Sequence, residues 1–140
     1  MRTTIGRSLR REFATRGAGL AVLVLVACGG DAVSAEAERE TVREHVEASG
    51  RRMEFENPTR GEKVELAFDQ VHSGVETTEG GRRVVCVDFR SADGTVYDAD
   101  FYVDRAETTD ALLVEDTVVH KVGDEDVLSA SRRAELDREG

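Results

Sequence analysis

The chain has 140 residues, with 29 acidic side chains against 19 basic ones, a net charge of −10, no Trp and two Cys. A polypeptide this acidic repels nucleic acid and anionic lipid head groups, which argues against both as partners and leaves cations and cationic surfaces open. The length suffices for one domain around a single core, and no internal repeat is visible.

Residues 1–17 carry Arg2, Arg7, Arg10, Arg11 and Arg16 against the single acid Glu12, and residues 18–27 (AGLAVLVLVA) follow as ten uncharged, mostly aliphatic residues. This is the charge pattern of an export signal. Ten residues are too few to cross about 30 Å of hydrocarbon as a helix, so no transmembrane helix is predicted. Leu25-Val26-Ala27-Cys28, just ahead of Gly29-Gly30-Asp31, resembles the lipobox of bacterial lipoproteins. The resemblance implies cleavage before Cys28, acylation of that Cys (palmitate among the chains), and anchorage in the membrane on the periplasmic or cell-surface side. Gly29 stands where Asp would favour inner-membrane retention, which points to the outer membrane in a diderm cell. Arg10-Arg11-Glu12-Phe13 is similar to the twin-arginine export signal, with the general secretory route as the alternative.

Residues 1–27 hold five Arg and one Glu, a net of +4, so cleavage there takes the charge from −10 to −14 and leaves 113 residues. With Cys28 bound to lipid, Cys86 has no partner for an intrachain disulfide. Its neighbours Val84, Val85 and Val87 mark it as a small, buried or half-buried hydrophobe rather than a nucleophile.

Residues 28–34 are expected to form a lipidated tether. The run from Ala35 to Ser49 lacks Gly and Pro, has Ser34 as an N-cap, acids in its first turn and Gly50 at its end, and predicts a helix. Its apolar stripe is thin: Val42, Val46 and Met53, flanked by Ala35 and Ser49. After the turn-rich Asn57-Pro58-Thr59-Arg60-Gly61 the period drops to two. Val64, Leu66, Phe68 and Gln70 alternate with Glu65, Ala67, Asp69 and Val71 in a first strand, and His72 to Gly81 reads as a loop. Arg83 to Arg90 and Thr95 to Asp104 predict two further strands.

Residues paired across a hairpin share a face, and this selects the turn. A two-residue loop at Asp93-Gly94 would set Phe89 against Asp98, mixing core and solvent. A three-residue loop, Ala92-Asp93-Gly94, pairs Phe89 with Tyr97, Val87 with Ala99 and Val85 with Phe101, with Gly94 left-handed in a bulged hairpin. The same register sets Asp88 opposite Asp98 and Cys86 opposite Asp100. A last strand, Ala111 to Val122, breaks its alternation around Glu115-Asp116-Thr117, where a bulge or a twist is expected and the two faces are not assigned. Residues 129–140 read as a polar, frayed or disordered tail, leaving 35–128 as the domain.

One helix followed by strands without βαβ alternation predicts an α+β fold: one N-terminal helix on a four-stranded antiparallel meander. This order resembles the cystatin-like fold and the related nuclear-transport-factor-like folds. Gln70 and Gly74 match the Gln-x-Val-x-Gly hairpin of cystatins, with His72 where Val is expected and no Pro-Trp pair between Arg105 and Asp110. The resemblance implies, as the weakest of three readings, a protease inhibitor acting through Gln70 to Gly74.

The leading reading is a membrane-anchored binding or accessory module for an envelope protein or small ligand, with Asp88, Asp98, Asp100 and Tyr102 on the exposed sheet face. The second is a metal-binding lipoprotein in which His72, His120 and a carboxylate from Asp98 or Asp100 converge. An ion pair from Asp98 or Asp100 to Arg90 or Lys121 is the structural alternative. His45 is expected at the solvent edge of the helix. No Ser-His-Asp signature, phosphate loop or CxxC pair is present, so neither an enzyme nor a cofactor is indicated.

Overall fold

The computed structural model describes residues 30–57 and 60–139. The expected export signal and Cys28 lie outside the described residues. The elements run α1 (Gly30–Ala48), β1 (Arg52–Glu56), β2 (Lys63–Val71), β3 (Glu76–Thr77), β4 (Arg83–Arg90), β5 (Val96–Arg105), β6 (Leu112–Val122), β7 (Glu125–Asp126) and α2 (Ala130–Leu136). The fold is α+β, as expected, but its antiparallel sheet has seven strands and two helices rather than four and one. Strand order is β1-β2-β4-β5-β6-β7, with β3 also paired to β4.

The additional elements have local causes. Gly50 and Arg51 both adopt positive φ, 72° and 61°, and the Arg51 N–H donates to the Val46 carbonyl at 2.9 Å. The helix is closed there, so Met53 does not extend its stripe. It enters β1, where Met53 and Phe55 alternate with Arg52, Glu54 and Glu56. At the other end α1 already begins at Gly30, so residues 30–34 of the expected tether are helical. The polar tail is ordered as well: the Ser129 side chain caps α2 by accepting from the Arg132 N–H, and Leu136 is buried.

α1 covers one sheet face. Val42 and Val46 pack with Leu66, Val85, Val87, Phe89, Tyr97, Ala99, Phe101, Val103 and Val119 into the main core. Glu38, one turn before Val42 on the same stripe, is buried and receives both Nε and Nη2 of Arg83, at 3.0 and 2.9 Å, so the helix is tied to β4 by a forked ion pair. On the opposite face a smaller cluster joins Leu136 to Val84 and Tyr102. Arg82 holds α2 there. Its guanidinium donates to the Leu136 carbonyl at 2.9 Å, pairs with Glu115 and Asp116, and lies 4.6 Å from the centre of the Tyr102 ring.

The β4–β5 hairpin has the expected register: Phe89 with Tyr97, Val87 with Ala99, Val85 with Phe101, Asp88 with Asp98 and Cys86 with Asp100. Gly94 has φ 87°, and its N–H donates to Ser91 O at 2.9 Å. The expected irregularity in the last strand is also present. Between Tyr102 and Val103 the partner shifts from Asp116 to Val114, leaving Glu115 as the extra residue beside Arg82.

Candidate metal centre

Two more irregularities build the site. In β2 the pairing steps from Phe68↔Phe89 to Gln70↔Asp88, leaving Asp69 extra. Strict alternation from Phe68 would turn Gln70 and His72 toward the core. The bulge reverses this: Val71 turns inward opposite Val87, Gln70 joins Asp88, and His72, whose N–H donates to the Cys86 carbonyl at 2.9 Å, joins Cys86 on the outer face. In β6 the pairing steps from Ala99↔Val119 to Asp98↔Lys121, and His120 is the extra residue. It is thereby set between Asp98 and Asp100.

The outer face thus collects His72, Cys86, Asp88, Asp98, Asp100 and His120. His72 Nε2 lies 3.0 Å from Asp88 Oδ1, and Asp88 Oδ2 accepts from Gln70 Nε2 at 2.7 Å. His120 Nε2 is 3.4 Å from Asp98 Oδ2, and its Nδ1 is 3.0 Å from Asp100 Oδ1. Cys86 Sγ donates to that same Asp100 oxygen at 3.2 Å. Donor atoms of His72, Cys86 and Asp98 lie within 4.8 Å of one another, as do those of Asp98, Asp100 and His120. Both histidines therefore reach Asp98.

Hydrogen bonding within the cluster is incomplete. Asp98 Oδ1 is buried without a partner, and His120 Nδ1, although close to Asp100, is off the line a hydrogen bond requires. Burial raises the Asp98 pKa above its ordinary value, with His120 and His72 opposing and Asp88 and Asp100 reinforcing the rise. The contact with Asp100 raises the His120 pKa, against burial. Cys86 is a free cysteine whose thiol is pushed up by burial and then by Asp100, so in the absence of a cation it is a protonated donor and not a nucleophile. An open cleft of about 510 Å³ beside His72 and Cys86, bounded also by Gln70, Gly74 and Glu76, gives access from solvent.

No protein-family model, curated protein or solved structure gives a significant match to this chain.

Among the residues singled out from sequence, His72, His120, Asp98 and Asp100 come together, and Asp88 stands beside them. Tyr102 does not belong to an open binding face: it is 2% exposed, beneath Leu136 and Arg82, because α2 covers that corner of the sheet. Asp98 and Asp100 pair with His120 rather than with Arg90 or Lys121, and Arg90 pairs with Asp69 at 2.8 Å. Gln70 pairs with Asp88 of β4, and Gly74 lies in the link between β2 and β3 and not at a hairpin tip. The turn is at Thr78 to Arg82, where the Thr78 N–H donates to the Arg82 carbonyl at 2.9 Å. His45 is exposed, edge-on to Phe101 at 6.0 Å between centroids. Cys86 as a candidate ligand, and Gln70 as the residue whose amide donates to Asp88, carried no such role in the sequence reading. The register that put Cys86 opposite Asp100 was the available signal for the first, whereas the second depends on the Asp69 bulge.

Proposed function

We propose that this chain is a lipid-anchored, extracytoplasmic module that binds a borderline divalent transition-metal ion such as Zn²⁺. The observation that supports this reading is the approach of two histidines, His72 just past the end of β2 and His120 in β6, to the one carboxylate of Asp98, within a cluster whose polar atoms are incompletely hydrogen-bonded. Imidazole, thiolate and carboxylate together suit zinc-class ions better than calcium or magnesium, whose sites are built from oxygen alone. The Asp88–His72 contact is of the kind that orients a metal-ligating imidazole. Binding displaces the Cys86 thiol proton and any proton on His120, so affinity rises with pH.

Anchorage rests on Leu25-Val26-Ala27-Cys28. Among the described residues no helix is long and apolar enough to cross a membrane. A helix followed by sequentially paired antiparallel strands supports a cystatin-like reading of the architecture.

The test is calorimetric titration of the purified chain with Zn²⁺ and with Ca²⁺. Zn²⁺ is expected to bind and to raise Tm, by the equivalent of about 2.7 kcal/mol at one hundred times Kd. Absence of Zn²⁺ binding at neutral pH, or equal binding of Ca²⁺, defeats the metal reading. For the anchor, Cys28→Ser is expected to release the protein from the membrane fraction with loss of the lipid mass. Retention there without a lipid adduct defeats it.

A further inference from the structure

Among the described residues, five of the donors on the outer face fall into two triads: His72, Cys86 and Asp98, and then Asp98, Asp100 and His120. Asp98 belongs to both. Its Oδ2 is directed to the second triad, 3.4 Å from His120 Nε2, while its Oδ1 is buried and has no hydrogen-bond partner. A desolvated carboxylate oxygen without a donor is unfavourable. A carboxylate shared by two donor sets is placed to bridge them, and metal pairs in shared sites sit about 3.5–4 Å apart.

Resting on the metal-binding reading above, we infer that the site holds two ions side by side, bridged by Asp98. The two positions differ in chemistry. The first offers the Cys86 thiolate and the His72 imidazole, which favour a zinc-class ion. The second offers two carboxylates and one imidazole, a harder set that accepts manganese- or iron-class ions as well.

The hydrogen bonding also sets the order of filling. Asp100 Oδ1 is engaged by the Cys86 thiol at 3.2 Å and faces His120 Nδ1 at 3.0 Å. When an ion takes Cys86 as thiolate, the thiol proton passes to solvent and the Cys86–Asp100 hydrogen bond is lost. Asp100 Oδ1 then becomes available to the second position. Occupancy of the Cys86 position therefore prepares the other.

The test uses the full chain carrying Cys28→Ser, so that Cys86 is the remaining thiol, titrated with Co²⁺ under reducing conditions and followed by native mass spectrometry and absorption. Two Co²⁺ per chain are expected, with the sulfur-to-cobalt charge-transfer band growing only over the first equivalent. Cys86→Ser should abolish the band and reduce the stoichiometry from two to one. His120→Ala should keep the band and also reduce it to one. Asp98→Asn should weaken both positions by tenfold or more. A single Co²⁺ that needs both His72 and His120 would overturn the pair while leaving the metal reading intact. A band that survives Cys86→Ser would overturn the assignment of the first position, and no Co²⁺ bound at all would overturn both readings.

Discussion

The two faces of the central β4–β5 hairpin are made by alternate residues of the same strands, yet they do opposite work. Val85, Val87 and Phe89 with Tyr97, Ala99 and Phe101 turn to α1 and are almost completely buried, whereas Cys86 and Asp88 with Asp98 and Asp100 turn away. The inner face is apolar and closely packed, and it supplies the hydrophobic term that holds the fold. The outer face crowds carboxylates, imidazoles and a thiol into a space where desolvation opposes the Asp98 charge. The difference teaches that one face of a single sheet carries the main core, while the other gathers titratable side chains, among them an Asp98 charge that desolvation disfavours.

Substitutions should separate the two faces, the inner one most severely. Phe89, 1% exposed and stacked near Phe101, is expected to cost about 3–5 kcal/mol on truncation to Ala, read by denaturant unfolding, with the cluster lost only through unfolding. Arg82→Leu comes next. It leaves Glu115 and Asp116 unpaired, but both are partly hydrated, so the loss should be about 2 kcal/mol, below the range for a fully buried pair. Its signature is faster amide exchange in α2 while α1 stays protected; equal acceleration in both helices would mean that Arg82 serves the whole fold. Gly94→Ala forces a Cβ into φ 87° at the turn common to both faces and should cost about 1 kcal/mol without altering metal affinity.

Smallest, and of opposite sign, is Asp98→Asn. Without metal it relieves a desolvated charge beside Asp88 and Asp100, so stability in chelator should stay level or rise by up to about 1 kcal/mol while metal affinity falls. A loss of several kcal/mol would show that Asp98 is structural.

The pH dependence sharpens the same contrast. The folded-state pKa of His120 is raised above its ordinary 6.5, so its contribution is present below that value and is lost as pH rises through the folded pKa. Asp98, raised from 3.8, has the same sign, with its window opening at lower pH. Metal-free Tm should therefore fall on going from pH 6.5 into the alkaline range, and Zn²⁺ should restore it most at the alkaline end, where protons no longer compete. A metal-free Tm that rises over that range would contradict the arrangement.

Much of the inner face was legible because the strands obey a period of two over eight or more residues, and register then follows from matching apolar faces across Ala92-Asp93-Gly94. The same matching placed Asp88 opposite Asp98 and Cys86 opposite Asp100. The short elements were less legible. Arg52 to Glu56 carries a visible alternation, but it follows directly on a helix whose spacing also accommodates Met53, and only the left-handed pair Gly50 and Arg51 divides them. α2 has a single buried residue, Leu136, and gains its place from Arg82, whose partners lie over thirty and over fifty positions away.

What the sequence by itself determined is the alternation and the turn, hence the two faces of β4 and β5 and the acidic, cysteine-bearing character of one of them. Only the tertiary structure decided that His72 and His120 would join that face. The Asp69 bulge reverses the alternation ahead of His72, and His120 is itself the unpaired residue of a second bulge. A bulge arises from the competition between neighbouring strands for a common register, so no single strand's sequence records it.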